Sequence, residues 1–168
     1  SRWCLVLVTL LAVVAVASAE VIATCLLEPT LGYETSGEIH FSEDSETHLL
    51  TITGHVKGLN PGMDHAFHIH EFGDLSDSTG TACGSHYNPD MTYHGLYTSC
   101  LRHAGDLGNI TADDFGEAIV EKVTDLAGLD EWRSIIGRSI VVHALPDLGT
   151  QPSGDAGDRI AMGIIGAE

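Results

Sequence analysis

Six of the chain's ten histidines fall in the segment His65–Asp106, and this concentration constrains the fold more than any other feature of the sequence. The segment begins HAFHIHEFGD, in which His68 and His70 are two residues apart. In an extended strand both imidazoles project from one face, while Phe67 and Ile69 project from the other. The pattern therefore predicts a strand with one face directed at a metal and the other at the hydrophobic core.

The other polar residues of this segment indicate a long loop folded around metal. His86, His94, His103 and Asp106 follow at intervals too long for one face of a helix. Imidazoles with a single carboxylate suit zinc or copper, whereas calcium and magnesium prefer oxygen ligands throughout. A lone histidine is more often a surface residue or a hydrogen-bonded core residue, but that interpretation does not account for a set of this size.

The sequence from Glu20 onward is β-forming. Apolar and polar residues alternate in VIATCLL, GEIHF and THLLTITGHVKG, and again in GEAIVEKV, RSIVVHAL and DRIAMGIIG. Short strands separated by glycine and proline, as in the predicted turn GLNPG at residues 58–62, favour an all-β antiparallel sandwich or barrel. Residues 73–109 contain little alternation, and we expect a long loop here that a metal orders. Three further histidines lie in the early strands, where we expect them to face solvent and not to bind metal: His40, His48 and His55.

The first nineteen residues have the pattern of a secretory signal peptide. The apolar run LVLVTLLAVVAVA follows Arg2 and precedes Ala17-Ser18-Ala19, a small-residue cleavage pattern. A membrane anchor is the alternative, although this run is short for a membrane span. We therefore expect residues 1–19 to be removed and residues 20–168 to form one secreted, extracellular domain.

The chain is strongly acidic, with 7 basic and 24 acidic residues and a net charge of −17. Loss of residues 1–19 would leave six basic against 24 acidic residues, a net charge of −18. Such a charge repels phosphate groups, so neither nucleic acid nor an anionic membrane is expected as a partner.

Three cysteines would remain after that cleavage: Cys25, Cys83 and Cys100. An odd number leaves at least one thiol unpaired or paired between molecules. Cys25 lies in the first strand, where we expect a buried core thiol.

Five segments occur in the order AFHIHEFGD, GSHYNP, HGLYTSCLRHAGDLGN, IIGRSIVVHA and GDAGDRIAMGIIG. In composition and order they resemble the sequence blocks of the copper/zinc superoxide dismutases. The resemblance covers nearly everything from Glu20 to Glu168. It implies a Greek-key antiparallel β-barrel with a long metal-binding loop, and disproportionation of superoxide to oxygen and hydrogen peroxide.

The resemblance also implies a set of metal ligands. The implied copper ligands are His68, His70, His86 and His143. The implied zinc ligands are His86, His94, His103 and Asp106, so that His86 bridges the two metals. Arg159 matches the family's arginine beside the copper, where it attracts and orients the superoxide anion; a solvated surface charge is the alternative for this residue.

Three departures from the family pattern stand out. Met162 occupies the position of the last-strand cysteine of the family's disulfide, whose partner would fall near Thr79 or Gly80. Cys83 with Cys100 is the candidate replacement, which would be worth about 3 kcal/mol. The segment after His143 is short and has no lysine or arginine before Arg159. The aspartate that links copper and zinc ligands in the family has Asp147 as its best match here.

These departures keep a second function open, a secreted metal-binding or carrier protein on the same scaffold with little catalysis. A third interpretation, an adhesion sandwich without metal, leaves the histidine set unexplained. The segments Ile136-Gly137 and 163–167 match the family's dimer contact, so a homodimer is expected. Asn109-Ile110-Thr111 is a candidate N-glycosylation pattern, with Asn109 as the acceptor.

Overall fold

The computed structural model describes residues 21–130 and 133–168. The predicted signal peptide, residues 1–19, lies outside the described residues. No helix within the described ranges is long and apolar enough to cross a membrane.

The described residues form an all-β domain of nine strands with one 3-10 turn. The strands are β1 (Val21–Pro29), β2 (Ser36–Glu43), β3 (Leu50–Lys57), β4 (Asp64–His70), β5 (Asp106–Thr111), β6 (Glu117–Thr124), β7 (Ser139–His143), β8 (Arg159–Ile164) and the short β9 (Gly166–Ala167). The 3-10 turn covers Thr81–Cys83 in the long connection between β4 and β5. The all-β prediction is confirmed.

The strands pair antiparallel in the order β5-β4-β7-β8-β1-β2-β3-β6, and β9 pairs with β1. Strands distant in sequence, β4 with β7 and β1 with β8, are neighbours in this order, which is the crossover expected of a Greek key. The two end strands lie side by side, since the Lys122 ammonium on β6 donates a hydrogen bond to the Asn109 carbonyl oxygen on β5, at 2.7 Å. The sheet is therefore a nearly closed barrel, as predicted.

The core follows from the alternation in the sequence. Ile39 and Phe41 on β2, and Leu50 and Ile52 on β3, point inward and are fully buried. Cys25 on β1 is buried among them, and burial raises the pKa of its thiol to about 12. The predicted core thiol is confirmed.

Two strands of the barrel, β5 and β9, were not predicted from the sequence. β5 begins at Asp106, inside the segment predicted to lack regular structure, and its residues are buried on both faces. Because both faces are covered, apolar and polar residues do not alternate along this strand, and its sequence does not indicate a strand. The two-residue β9 is too short to carry a pattern.

Candidate metal centre

The central strands of the barrel deliver the first group of histidines. β4 pairs with β7, so His68 and His70 on one strand lie close to His143 at the end of the other. All three imidazoles are buried, while Phe67 and Ile69 belong to the hydrophobic core. The predicted core face of this strand is confirmed, and the opposite face places His68 and His70 beside the other histidines, as a metal site requires.

The first cluster comprises His68, His70, His86 and His143, whose potential ligand atoms lie within 4.8 Å of one another. The backbone fixes which nitrogen is free in two of them. His70 Nδ1 is 3.0 Å from the Gly84 carbonyl oxygen, and His143 Nδ1 is 3.3 Å from that of Gly157. Both tautomers therefore leave Nε2 with a free lone pair, and these two Nε2 atoms are 3.3 Å apart.

The second cluster comprises His86, His94, His103 and Asp106, again with ligand atoms within 4.8 Å. The Asp106 carboxylate is 2.7 Å from His86 Nδ1, 3.0 Å from His94 Nδ1 and 3.2 Å from His103 Nδ1. Four ligands about 2.0–2.2 Å from a tetrahedral zinc lie roughly 3.3–3.6 Å apart, so small outward shifts would make room for the ion. His86 belongs to both clusters, with Nδ1 toward Asp106 and Nε2 left for the first cluster.

Asp147 links the two clusters, because its carboxylate contacts one histidine of each. Its Oδ2 is 3.2 Å from His68 Nε2, and its Oδ1 is 2.9 Å from His94 Nε2. The opposite nitrogen of His68, Nδ1, is buried and lacks a hydrogen-bond partner within the described ranges, whereas Nδ1 of His94 faces the Asp106 carboxylate at 3.0 Å. Buried polar atoms are rarely left in this state, and lone pairs aimed into clusters of imidazoles are what a metal requires. The residues therefore fit two metal ions.

Asn109 does not stand free for a glycan. It accepts a hydrogen bond from Asp147 N at 2.7 Å and donates one from Nδ2 to the Asp147 carbonyl oxygen at 3.2 Å. Glycosylation modifies this same Nδ2 and requires a surface loop, whereas Asn109 is half-buried on β5. These contacts oppose attachment of a glycan, and glycosylation of Asn109 stays a prediction.

Burial keeps three histidines of the first cluster neutral and thus able to bind metal: His68, His70 and His143. Burial lowers the pKa of His68 to about 4, although the hydrogen bond that His68 Nε2 donates to the Asp147 carboxylate raises it. Burial and the neighbouring imidazoles also hold the pKa values of His70 and His143 well below the usual range. A histidine binds metal through an unprotonated nitrogen, so these low pKa values favour metal over protons near neutral pH.

The second cluster is electrostatically different because a carboxylate lies at its centre. Burial alone would raise the pKa of Asp106, but the imidazoles of His86 and His94 lower it far below the usual range. Burial alone would lower the pKa of His94, but the two aspartates, Asp106 and Asp147, raise it to about 9. This cluster attracts positive charge, which a divalent ion supplies better than a proton.

Arg159 lies at the edge of the first cluster. The backbone of Arg159 on β8 pairs with that of His143 on β7. The Arg159 side chain helps to line a pocket of about 510 Å³ over the histidines. The guanidinium donates to the Gly80 carbonyl oxygen through Nη1 and to that of Gly84 through Nη2, the latter at 2.7 Å. These bonds fix the cation beside the pocket, so Arg159 is not an ordinary solvated charge.

The acidic residue in the pocket wall is Glu71. The sequence draws attention to Asp155 and Asp158, because they lie close to Arg159 along the chain. Neither lines this pocket, and the Asp158 carboxylate accepts a hydrogen bond from the Tyr33 hydroxyl at 2.8 Å. No signal in the sequence distinguishes Glu71 as the acid of this pocket wall.

The predicted disulfide between Cys83 and Cys100 is not formed. The three cysteines of the described residues are all free, with Cys83 buried and Cys100 exposed. Cys83 Sγ lies 3.9 Å from Met162 Sδ, in a small apolar cluster that also contains Val141. The long loop thus contacts β8 here through packing of Cys83 on Met162 and not through a covalent bond.

An antiparallel β-barrel that gathers six buried histidines and two buried aspartates around a pocket with a fixed arginine defines a two-metal protein. Residues 35–165 match the family described as copper/zinc superoxide dismutase. The chain is also 44% identical, over 144 residues, to the superoxide dismutase [Cu-Zn] of Onchocerca volvulus, a match that covers 80% of this chain and 90% of that relative. The chain belongs to the copper/zinc superoxide dismutase family.

Proposed function

We propose that this chain is a secreted, homodimeric copper/zinc superoxide dismutase that converts two superoxide anions and two protons into oxygen and hydrogen peroxide. The observation that carries the proposal is the pair of buried clusters that share His86 beside the fixed guanidinium of Arg159. The similarity to a dismutase over most of both chains supports the same reaction.

Under this proposal the first cluster holds copper, through Nδ1 of His68 and Nε2 of His70, His86 and His143. Copper bound there supplies the electron transfer, because it is stable in two oxidation states and imidazole nitrogens bind both. The second cluster holds zinc through Asp106 and Nδ1 of its three histidines: His86, His94 and His103. Zinc has no redox chemistry, so this cluster orders the long loop and orients His86.

Arg159 acts on the substrate anion. Its guanidinium is half-buried at the pocket wall, where a positive charge attracts superoxide more strongly than it would in open water. The carbonyl oxygens of Gly80 and Gly84 orient the guanidinium before substrate arrives, so no reorganisation is needed in the reaction.

A metal carrier without catalysis is the weaker alternative. A carrier needs the ligand clusters but has no use for a cation held at the mouth of the pocket. The relative with 44% identity is moreover a dismutase.

The activity is tested by measuring superoxide decay after pulse radiolysis, together with copper and zinc content per chain, on the same sample. The chain loaded with one copper and one zinc should consume superoxide catalytically. The matched control is the chain loaded with zinc alone, which keeps the fold but lacks a redox metal. Equal rates for the two forms would contradict the proposal and favour the carrier.

Secretion is proposed from the apolar run and the small-residue cleavage pattern of residues 1–19. Expression of the full chain in cultured eukaryotic cells should release a protein that begins at Glu20, as read by N-terminal mass spectrometry of the medium. Retention of the intact chain in the membrane fraction would favour the anchor instead.

The homodimer is proposed from two stretches that form one surface. Gly137 N donates to Ile165 O at 2.8 Å, and Ile165 N donates to Arg138 O at 2.9 Å, so residues 136–138 and 163–167 lie together. Ile164 on this surface is 42% exposed, which is unfavourable for an isoleucine in water. Sedimentation should give a dimer, and Ile164→Glu should give a monomer; an unchanged mass in the variant would exclude this surface.

A further inference from the structure

We propose that Glu43, His48 and Asp130 form a separate zinc site, which shares no residue with the two clusters already described. The three side chains come from the end of β2, from the turn before β3 and from the loop after β6. Their potential ligand atoms lie within 4.8 Å of one another. One imidazole with two carboxylates is a donor set that zinc accepts.

The distances between these atoms suit a tetrahedral ion. His48 Nδ1 is 3.3 Å from Glu43 Oε1 and 3.8 Å from Asp130 Oδ2. Ligand atoms on a tetrahedral zinc lie roughly 3.3–3.6 Å apart, so the present arrangement is close to that of a bound site. Calcium or magnesium would favour an all-oxygen set, and the imidazole argues against them.

Glu43 is the residue that most requires a cation. Its carboxylate is 5% exposed, Oε2 accepts a hydrogen bond from Leu129 N at 2.5 Å, and Oε1 faces His48. Burying a carboxylate is unfavourable unless positive charge compensates it, and an imidazole carries that charge only when protonated. A divalent ion would compensate the charge of the buried Glu43 carboxylate without a proton on the imidazole.

The backbone around the site holds the carboxylate and the imidazole in position. A Cβ atom at Gly128 would lie only 3.0 Å from Glu43 Oε2, so glycine allows the loop to close over the carboxylate. His48 has a φ of 54°, which is uncommon for a residue other than glycine, and its N–H donates to Asp44 O at 2.8 Å. The tight turn thus directs the imidazole toward Glu43.

The surrounding pocket has room for an ion and a further ligand. Its volume is about 260 Å³, and Asp125 also lines it, so a carboxylate or water could complete the coordination. Arg133 lies in the wall as well, but its guanidinium pairs with Asp90 at 2.8 Å, which offsets its charge. None of the residues that line this pocket lines the pocket over the histidines.

Another histidine of the barrel provides a matched control. His55 Nε2 lies 3.2 Å from Glu117 Oε2, about the same separation as between His48 and Glu43. Among the described residues, no third potential metal ligand lies close to this pair. If proximity of one imidazole to one carboxylate were sufficient, both pairs would bind zinc equally.

The test is equilibrium dialysis against micromolar zinc, with metal counted per chain by mass spectrometry. The protein is first loaded with one copper and one zinc. The unmutated protein should take up one additional zinc, His48→Gln should take up none, and His55→Gln should behave as the unmutated protein. Zinc should shift the His48 imidazole resonances in NMR spectra and raise the unfolding temperature of the unmutated protein but not of His48→Gln.

Three results would overturn the inference: no additional zinc in the unmutated protein, undiminished uptake in His48→Gln, or equal loss in His55→Gln. Copper content and superoxide consumption should be the same in all three proteins, because His48 and His55 belong to neither metal cluster. These two readouts separate failure of this site from failure of the proposed dismutase activity.

Discussion

Asn109 holds the backbone of Asp147 by two hydrogen bonds, accepting from its N–H at 2.7 Å and donating to its carbonyl oxygen at 3.2 Å. Asn109 belongs to β5, the strand that begins with Asp106, whereas Asp147 belongs to the loop after β7. The pair therefore fixes the carboxylate that contacts His68 and His94 relative to the strand that carries a candidate zinc ligand.

Replacement of this amide should loosen both clusters. Asn109→Ala leaves the N–H and carbonyl of Asp147 without partners, which should lower the free energy of unfolding by about 1–3 kcal/mol. Residues that orient metal ligands typically change metal affinity about 10–100-fold, and we expect zinc affinity to fall in that range. Urea denaturation and competition with a chelator measure the two effects.

Thr111→Ala serves as the control, since Thr111 lies on the same strand and donates one exposed hydrogen bond to Asp64. It should change stability by less than about 0.5 kcal/mol and leave zinc affinity unaltered. Equal zinc affinities in the two variants would show that Asn109 does not position Asp147.

The shared histidine should be distinguishable from an unshared one. His86 belongs to both clusters and His94 to one, so His86→Ala should lower copper and zinc content together, and His94→Ala should chiefly lower zinc. Metal analysis after dialysis against a weak chelator measures both. Unchanged occupancy in His86→Ala would mean that the two-metal assignment is wrong.

The thiols should react according to their burial. Cys100 is exposed, whereas Cys25 and Cys83 are buried, and the raised pKa of Cys25, about 12, keeps that thiol protonated. We expect native protein at pH 8 to be alkylated at Cys100 alone. After unfolding without reductant, all three should be alkylated, as shown by intact mass.

A mass two hydrogens lower before alkylation, with Cys83 and Cys100 protected after unfolding, would restore the disulfide predicted from the sequence. The matched variant is Cys83→Ala, which should also be alkylated at Cys100 alone in the native state, because Cys83 is buried, and should show one alkylated thiol fewer than the unmutated protein after unfolding.

The sequence was sufficient to predict structure where the spacing of residues within one strand carries the information. The two-residue spacing of His68 and His70 predicts a strand with two different faces, and the structure has them. The alternation in β2 and β3 likewise predicts which residues enter the core. The periodicity of a strand shows which of its faces a residue occupies. Both predictions concern only the face, so local sequence was enough for them.

The sequence was insufficient where contacts join distant segments. β5 has a core residue, Leu107, next to a cluster residue, Asp106, so both faces are buried and no alternation exists. The pairing of Cys83 with Met162 joins residues 79 positions apart, and nothing in either local sequence reveals it. The same applies to Glu43 and Leu129: their contact places a buried carboxylate beside the exposed imidazole of His48, and the local sequence gives no sign of this partner.

The charge balance at the pocket mouth leads to the last prediction. Arg159 attracts the anionic substrate, while Glu71 in the same wall and the net charge of −17 repel it. The segment after His143 contributes no lysine or arginine before Arg159 to offset this repulsion. Exposed charges are screened over about 8 Å at physiological ionic strength, so salt weakens the distant acids more than the nearby arginine.

We therefore expect the rate of superoxide consumption to stay flat or to rise as salt is added at low ionic strength. Glu71→Gln removes the acid in the wall and should raise the rate at low salt, after which added salt should lower it, as for steered association. Asp158→Asn is the control, because the Asp158 carboxylate is directed to Tyr33 and should have the smaller effect. Arg159→Ala should lower activity while copper content stays the same, since Arg159 is in neither cluster. A steep fall of the unmutated rate with salt would show that the arginine, and not the acids, dominates the field at the mouth.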